Sequence, residues 1–307
     1  MIPAAILFSW VAACVVWLTG RRDPARDARL TAAALLCLLL FPLSAWLPKL
    51  AVVPIGVGAG EGVACHLWAI TALWGAGTLV FLLRLLVACI RLRHWRRESR
   101  LLSSICSPET GGRRIELRVL DSLPSPVAAG VIRPVIYLPV GWESMPEAVR
   151  RAVLLHETGH HRRRDPLWRM IAAAACAVHW FNPLVWWMAR RFAAQCEYAC
   201  DAAVLVGGFR AGDYAHMLCD LASAVPMPAP ALAMATATGL EARVRRLAIA
   251  PEPLGTRGFG MMAAAFLLLA GASLAMLGPA TVTAPRKTSV TADEVTLRWT
   301  ANPFPGE

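Results

Sequence analysis

The residues with the most chemical capacity are His156-Glu157-Thr158-Gly159-His160, inside the run AVLLHETGHHRRRDP. On a helix, positions i and i+4 lie on one face a turn apart, so His156 and His160 can direct two imidazoles at one metal ion. Glu157 sits between them, placed to take a proton from water activated at such an ion. The bland alternative is two helical histidines with no joint task. A catalytic zinc commonly takes three protein ligands and leaves one position for water. The run RRFAAQCEYACDAAVL reads as a helix with Glu197 and Asp201 one turn apart. Glu197 is the natural third ligand there, and Asp201 suits holding a ligand imidazole by its other ring N–H. The competing reading, two solvated acids on a surface helix, sits poorly with the mostly apolar surroundings.

These residues must be positioned by an unusually apolar chain. Of its 307 residues 57% are hydrophobic, where a soluble domain has about 45–50%. The excess lies in long blocks, which points to a membrane protein. Blocks at about 2–19, 30–47, 66–90 and 258–278 are each long enough to cross a bilayer. A signal peptide is the rival reading of the first, but it would want basic residues before the apolar part, and here they follow it. Arg21, Arg22, Arg26 and Arg29 come next; the second connection holds only Lys49, and Arg91, Arg93, Arg96, Arg97 and Arg100 follow the third block. By the positive-inside rule the N-terminus is outside and everything after residue 91 is inside until the last block leads out. Residues 1–91 then hold three spans, 92–257 a cytoplasmic domain, 258–278 the fourth span, and 279–307 a short external tail. The formal net charge of +11 belongs to these flanks, not to direct nucleic-acid binding. The nine cysteines show no disulfide-module spacing and read mainly as small apolar residues in helices.

Within 92–257 the pattern is α+β. Ile115 to Leu120 alternates like a strand. Val127 to Leu138 reads as two short strands meeting at Gly130, or one bent edge strand, because Pro134 cannot donate to a ladder. Pro146-Glu147 opens the helix that carries the histidines, with Ser144 as its cap, and that helix is expected to leave a packed core for a polar surface. Residues 167–188 are apolar enough for a fifth span, which would put the two motifs on opposite sides of the membrane. Asn182-Pro183 interrupts the block. It therefore reads as two helices meeting at an Asn-Pro turn, packed in the domain or dipping into the inner leaflet.

The order H-E-x-x-H-x-x-R-x-D, then F-N-P-L-V-W, then E-x-x-C-D resembles the M56 peptidases, the membrane metalloproteases typified by beta-lactam sensor-transducers of the BlaR and MecR type. The elements here are His156, Glu157, His160, Arg163 and Asp165; Phe181 to Trp186; and Glu197, Cys200 and Asp201. The resemblance covers the chain to about residue 278. It implies four transmembrane helices with a gluzincin-like zinc domain between the third and fourth, in a bacterial-type inner membrane. It also implies that His156, His160 and Glu197 bind one zinc ion, that Glu157 acts as base and then acid in peptide hydrolysis, and that the substrate is a cytoplasmic repressor or the protease itself. A dimer is one open oligomeric state. The tail has no S-x-x-K motif and no length for a penicillin-binding domain, so beta-lactam sensing by this chain alone is not expected. Two other readings stand beside signalling. One is housekeeping proteolysis of membrane proteins, and the other is a non-proteolytic receptor or scaffold with a structural zinc.

Further candidates rank below these. His161 points about 100° away from His160. His179, Tyr198 and Tyr214 are open candidates for stabilising a tetrahedral intermediate, with a packed role favoured for His179. Cys196 and Cys200 are i,i+4, but Cys200 belongs to the resembled pattern and Cys196 faces the same core. Asp201 and Asp165 are expected to support the ligands, Asp165 by fixing the end of the motif helix. Arg162, Arg163 and Arg164 suit lipid headgroups.

Overall fold

A computed structural model describes residues 2–19, 23–40, 51–55, 61–106, 112–223, 230–248 and 277–281. An uncharged run can leave water only if its backbone polar groups are satisfied within the segment, so the apolar blocks fold as helices. They are α1 (Ile2–Thr19), α2 (Pro24–Leu40) and α3 (Glu61–Glu98). Asp23 starts α2, its Oδ1 accepting from the amides of Ala25 at 2.9 Å and Arg26 at 3.4 Å, with Pro24 next in line. Among the described residues, Trp68–Glu98 of α3 is the helix long and apolar enough to cross a membrane. Its large side chains point outward, Trp68 at 77% and Leu73 at 66% exposure, a surface that needs a cover such as lipid. Residues 41–50, where the second block ends, and most of 258–278 lie outside the described residues.

The connection after the second block contains a strand, β1 (Ala51–Ile55). It pairs in parallel with β6 (Leu277–Thr281), Ala51 opposite Leu277 and Ile55 opposite Thr281. The chain after the second apolar block thus lies beside the chain at the end of the fourth.

The block at 167–188 forms the expected pair of helices, α5 (Asp165–Val178) and α6 (Pro183–Val206). Asn182 caps α6, its Oδ1 accepting from the amide of Leu184 at 3.1 Å. The turn is tied to the apolar helices. Asn182 Nδ2 donates to Ser9 Oγ at 2.9 Å, and His179 Nε2 lies 2.8 Å from the Leu38 carbonyl oxygen. Trp74 Nε1 donates to the Val178 carbonyl at 2.9 Å. Phe8, Leu35, Leu38, Ala175, Met188 and Phe192 share one buried cluster. So α5 and α6 form a hairpin packed against α1 to α3. His179 is a packed residue of that layer, as the simpler reading had it. At the other end of the cluster Arg191 pairs with buried Asp27 at 2.8 Å and lies over the Trp187 ring.

The α+β part holds β2 (Arg100–Ile105), β3 (Ile115–Val119), β4 (Val127–Ala129) and β5 (Val135–Leu138), in the order β2-β3-β5-β4. Within this described sheet the β3–β5 pair is parallel and the other two pairs are antiparallel. Gly130 makes the turn after β4 with φ of 83°, and a Cβ there would strike the Arg133 carbonyl oxygen. Pro134 stays outside the ladder as a donor and accepts from the Glu116 amide at 3.1 Å. The motif helix α4 (Glu147–Arg163) packs on this sheet through Val153, against Ile115, Leu117, Ile136, Leu138 and Trp142. Its N-cap is Pro146, with no side-chain cap; Ser144 instead belongs to the 3-10 turn Trp142–Ser144 and donates to the Gly141 carbonyl. Nor does α4 run out to a polar surface at the motif: every residue from His156 to His161 is buried. Two helices follow α6, namely α7 (Ala211–Ser223) and α8 (Pro230–Leu247).

His161, 1% exposed, faces away from the motif and places Nε2 3.0 Å from the Val135 carbonyl oxygen. Burial pushes its pKa down to about 4, from the ordinary 6.5 of a histidine, against the pull of that hydrogen bond. The folded protein therefore binds fewer protons than the unfolded chain between these values. The stability His161 contributes is complete above 6.5 and is lost as pH falls through 4, a loss of up to about 3 kcal/mol. Melting curves between pH 7 and 4 should fall less steeply for His161→Gln than for wild type; equal slopes would contradict this role.

Candidate metal centre

The local sequence sets two helices very close together. At Gly159 on α4, an added Cβ would sit 3.1 Å from Cys200 Sγ and 3.5 Å from Cys200 Cβ on α6. Glycine and a small side chain therefore fix the spacing where the helices cross. The crossing brings His156, a turn before Gly159, and His160, next to it, opposite Glu197, a turn before Cys200, with donor atoms all within 4.8 Å of one another. His156 Nε2 lies 3.3 Å from Glu197 Oε2, and His160 Nε2 lies 3.6 Å from Glu197 Oε1. Four ligands at about 2.0–2.1 Å around a tetrahedral zinc would stand about 3.3–3.4 Å apart. The donor set fits an ion of that size.

The outer ring nitrogens are engaged by carboxylates. His160 Nδ1 is 2.8 Å from Asp165 Oδ2, and His156 Nδ1 is 3.1 Å from Asp201 Oδ1. An N–H on each Nδ1 donating to its carboxylate leaves the Nε2 lone pair facing inward, which is what a metal requires. Asp165 can do this because Arg164, with φ of 60°, is the left-handed junction between α4 and α5 and turns the chain back toward His160. Arg163 Nε donates to the other Asp165 oxygen at 3.3 Å. Both supporting aspartates are buried.

The surrounding acids favour positive charge at His156, so a metal ion and a proton compete for its Nε2. Burial works against a charged His156, but hydrogen bonds with Asp201 and Glu197 outweigh it and raise the pKa to about 9. Burial likewise opposes charge on Glu197, and the two imidazoles and Arg169 overcome it, holding the carboxyl well below the usual range. Glu197 is thus an anion in a pocket of cations, as a ligand should be. A second group, His160, Asp165 and Cys200, also comes close together. It does not fit a metal. His160 Nδ1 and Asp165 Oδ2 stand at direct hydrogen-bond distance, 2.8 Å, which leaves no place for an ion between them, and burial with Asp165 nearby pushes the Cys200 thiol far up.

Glu157 is buried and makes no hydrogen bond or ion pair to another described residue. Its carboxylate is uncommitted, unlike every other acid of the centre. Of the two candidate tyrosines, Tyr214 has a defined place at the centre. Tyr214 Oη lies behind His156, donating to Asp201 Oδ1 at 2.9 Å and standing 3.2 Å from His156 Nδ1. It supports the ring and does not face the reaction side. His161 is likewise excluded as a ligand by its contact with β5.

Two arginines were not anticipated. Arg169 Nη2 donates to Glu197 Oε1 at 2.6 Å. It follows Asp165 by four residues, so helical spacing could have placed it on the same face. Arg243 of α8 reaches Asp201 from 42 residues away, and no local pattern announces it.

Two inward imidazoles on one helix, a carboxylate from a second and an uncommitted glutamate define a metallopeptidase-type centre joined to an apolar helical layer. The sequence model of the BlaR1 peptidase M56 family matches residues 61–249, well over half of the chain, and the chain belongs to that family. It is also 31% identical over 146 residues to regulatory protein BlaR1 of Bacillus licheniformis. The match covers 44% of this chain and 24% of the relative, so the chain spans about a quarter of the length of the relative it matches.

Gly159 generates a direct test. Gly159→Val should push α6 away and weaken binding of added Zn2+ roughly tenfold or more, since ligand positions tolerate only about 0.5 Å of error. Adding Cys200→Ala should recover part of the loss. Unchanged affinity in the single variant would show that the crossing does not set the ligand spacing.

Proposed function

We propose that this protein is an integral-membrane zinc metalloendopeptidase that cuts a protein substrate on the cytoplasmic side of a bacterial-type inner membrane, in signal transduction. The observation that carries the reading is the pair of Nε2-to-Glu197 separations, 3.3 and 3.6 Å, with the Glu157 carboxylate uncommitted beside them. His156, His160 and Glu197 would hold one zinc ion, which when bound lowers the pKa of water to about 7 and polarises a scissile carbonyl. Glu157 takes the proton of the attacking water and hands it to the leaving amine. Asp165 and Asp201 keep both imidazoles in the tautomer that presents Nε2.

Substrate placement falls to the sheet. In the described sheet β4 pairs only with β5, so its outer edge is open, and α4 packs beside it. An extended peptide can add to that edge by backbone hydrogen bonds. The edge is Val127–Ala129 alone, a narrower stretch than the Val127–Leu138 expected from sequence.

The domain division at 91, 257 and 278 and the four-span topology belong to this proposal. The apolar surface of α3 supports membrane residence, and the β1–β6 pairing supports a common side for the second connection and the start of the tail. The Bacillus relative is a regulatory protein by name, which favours signalling over housekeeping. The substrate we favour is a cytoplasmic repressor or a second copy of the protease.

Purified Glu157→Gln should bind zinc like wild type and lose cleavage of itself or of a co-expressed repressor by at least about a hundredfold. A variant that still cuts would overturn the mechanism. A wild-type protein that binds zinc tightly but cuts nothing would favour the receptor or scaffold reading. Proline placed in turn at positions 127, 128 and 129 should leave zinc content intact and, at a residue whose N–H faces outward, abolish cleavage; unchanged cleavage in all three would remove the edge from the account.

A further inference from the structure

The Asp201 carboxylate that orients His156 is held by α8. Arg243 donates from Nε to Asp201 Oδ2 at 2.9 Å and from Nη2 to Asp201 Oδ1 at 2.6 Å, a two-pronged grip. Its remaining nitrogen, Nη1, lies 3.7 Å from Glu197 Oε2. One guanidinium therefore spans both acids that flank His156. Asp201 is 2% exposed, and a buried carboxylate needs a cation and well-aimed donors to stay charged and fixed. The donors on Asp201 are Arg243, Tyr214 of α7 and the His156 ring itself.

The α8 helix has an apolar seat apart from Arg243. Leu247 is buried with Ala152, Val204, Tyr214 and Leu218, and Leu240 packs against the same cluster. Leu240, Arg243 and Leu247 follow at helical spacing, so the leucines seat the helix and the arginine between them is aimed at the centre. A guanidinium spent only on docking would have no cause to bridge two carboxylates at 21% exposure.

Resting on the zinc-peptidase reading above, we propose that Arg243 is a positioning residue for the metal centre. By fixing Asp201 it sets the orientation of His156, and with Nη1 it steadies Glu197. The centre is then complete only when α8 is seated. Lysine cannot reproduce this, because its ammonium is a single point charge without a fork.

The test uses the full chain in detergent, with Zn2+ affinity read by competition against a chromophoric chelator and the visible bands of the Co2+-substituted protein as a spectroscopic signature. Arg243→Gln should weaken Zn2+ binding by roughly ten- to a hundredfold and shift the Co2+ bands, and Arg243→Lys should recover only part of the affinity. Because the two-pronged contact with Asp201 is the shorter of its two contacts, Arg243→Gln placed on Asp201→Asn should add clearly less than Arg243→Gln costs alone, the remainder being the contact with Glu197. Wild-type affinity and Co2+ bands in Arg243→Gln would overturn the proposal, as would losses that multiply in the double variant. Those outcomes leave the peptidase reading standing; a wild-type chain that takes up neither ion would instead remove the reading on which the proposal rests.

Discussion

The close approach of α4 to α6 at Gly159 governs the rest of the molecule. Metal ligands must converge to within a few tenths of an ångström, and here the candidate ligands come from two helices, with His160 and Glu197 37 residues apart in sequence. Only a crossing without a side chain on one partner, against the small side chain of Cys200 on the other, lets short imidazole and glutamate arms meet. The supporting contacts all serve that crossing. Asp165 folds back from the α4–α5 junction onto His160, and Asp201, next to Cys200 and one turn beyond Glu197, reaches His156.

Because α6 carries Glu197 near one end and the Asn-Pro turn at the other, the centre is joined to the apolar layer by one continuous helix. Asn182 and His179 anchor the turn to α1 and α2, while Asp27 and Arg191 anchor the same helix lower down. A stiff element fixed at both levels holds the carboxylate where α4 can meet it. The interruption at Asn182-Pro183 is what allows this, since an unbroken apolar helix through 167–188 would have carried Glu197 away from the histidines.

Much of this was legible in the sequence because the relevant physics is local. The i,i+4 spacing of His156 and His160, the Glu197–Asp201 pair, the Asn-Pro break and the turn at Gly130 each depend on a few neighbouring residues. Asp165 was legible as a support of the motif helix, though not as the partner of His160 Nδ1. What escaped was set by tertiary packing. Ser144 has the side chain of a cap, but the chain turns one step too early and Pro146 takes that place. Tyr214 could be named but not aimed, since its orientation depends on how α7 lies across α6. Arg243 had no signature at all, because a surface-like arginine in RVRRL gains its partner only when α8 folds back. The burial of the whole stretch His156–His161 was also hidden, since the arginines that follow it suggest an exposed helix end.

X-ray absorption at the zinc edge of the purified, zinc-loaded protein tests the central claim most directly. The account predicts a shell of nitrogen and oxygen at about 2.0–2.1 Å, with imidazole scattering from two histidines and no sulfur, and loss of one oxygen ligand in Glu197→Ala. A sulfur at about 2.3 Å, which would mean that Cys200 binds the ion, or a shell unchanged by the loss of Glu197, would contradict it.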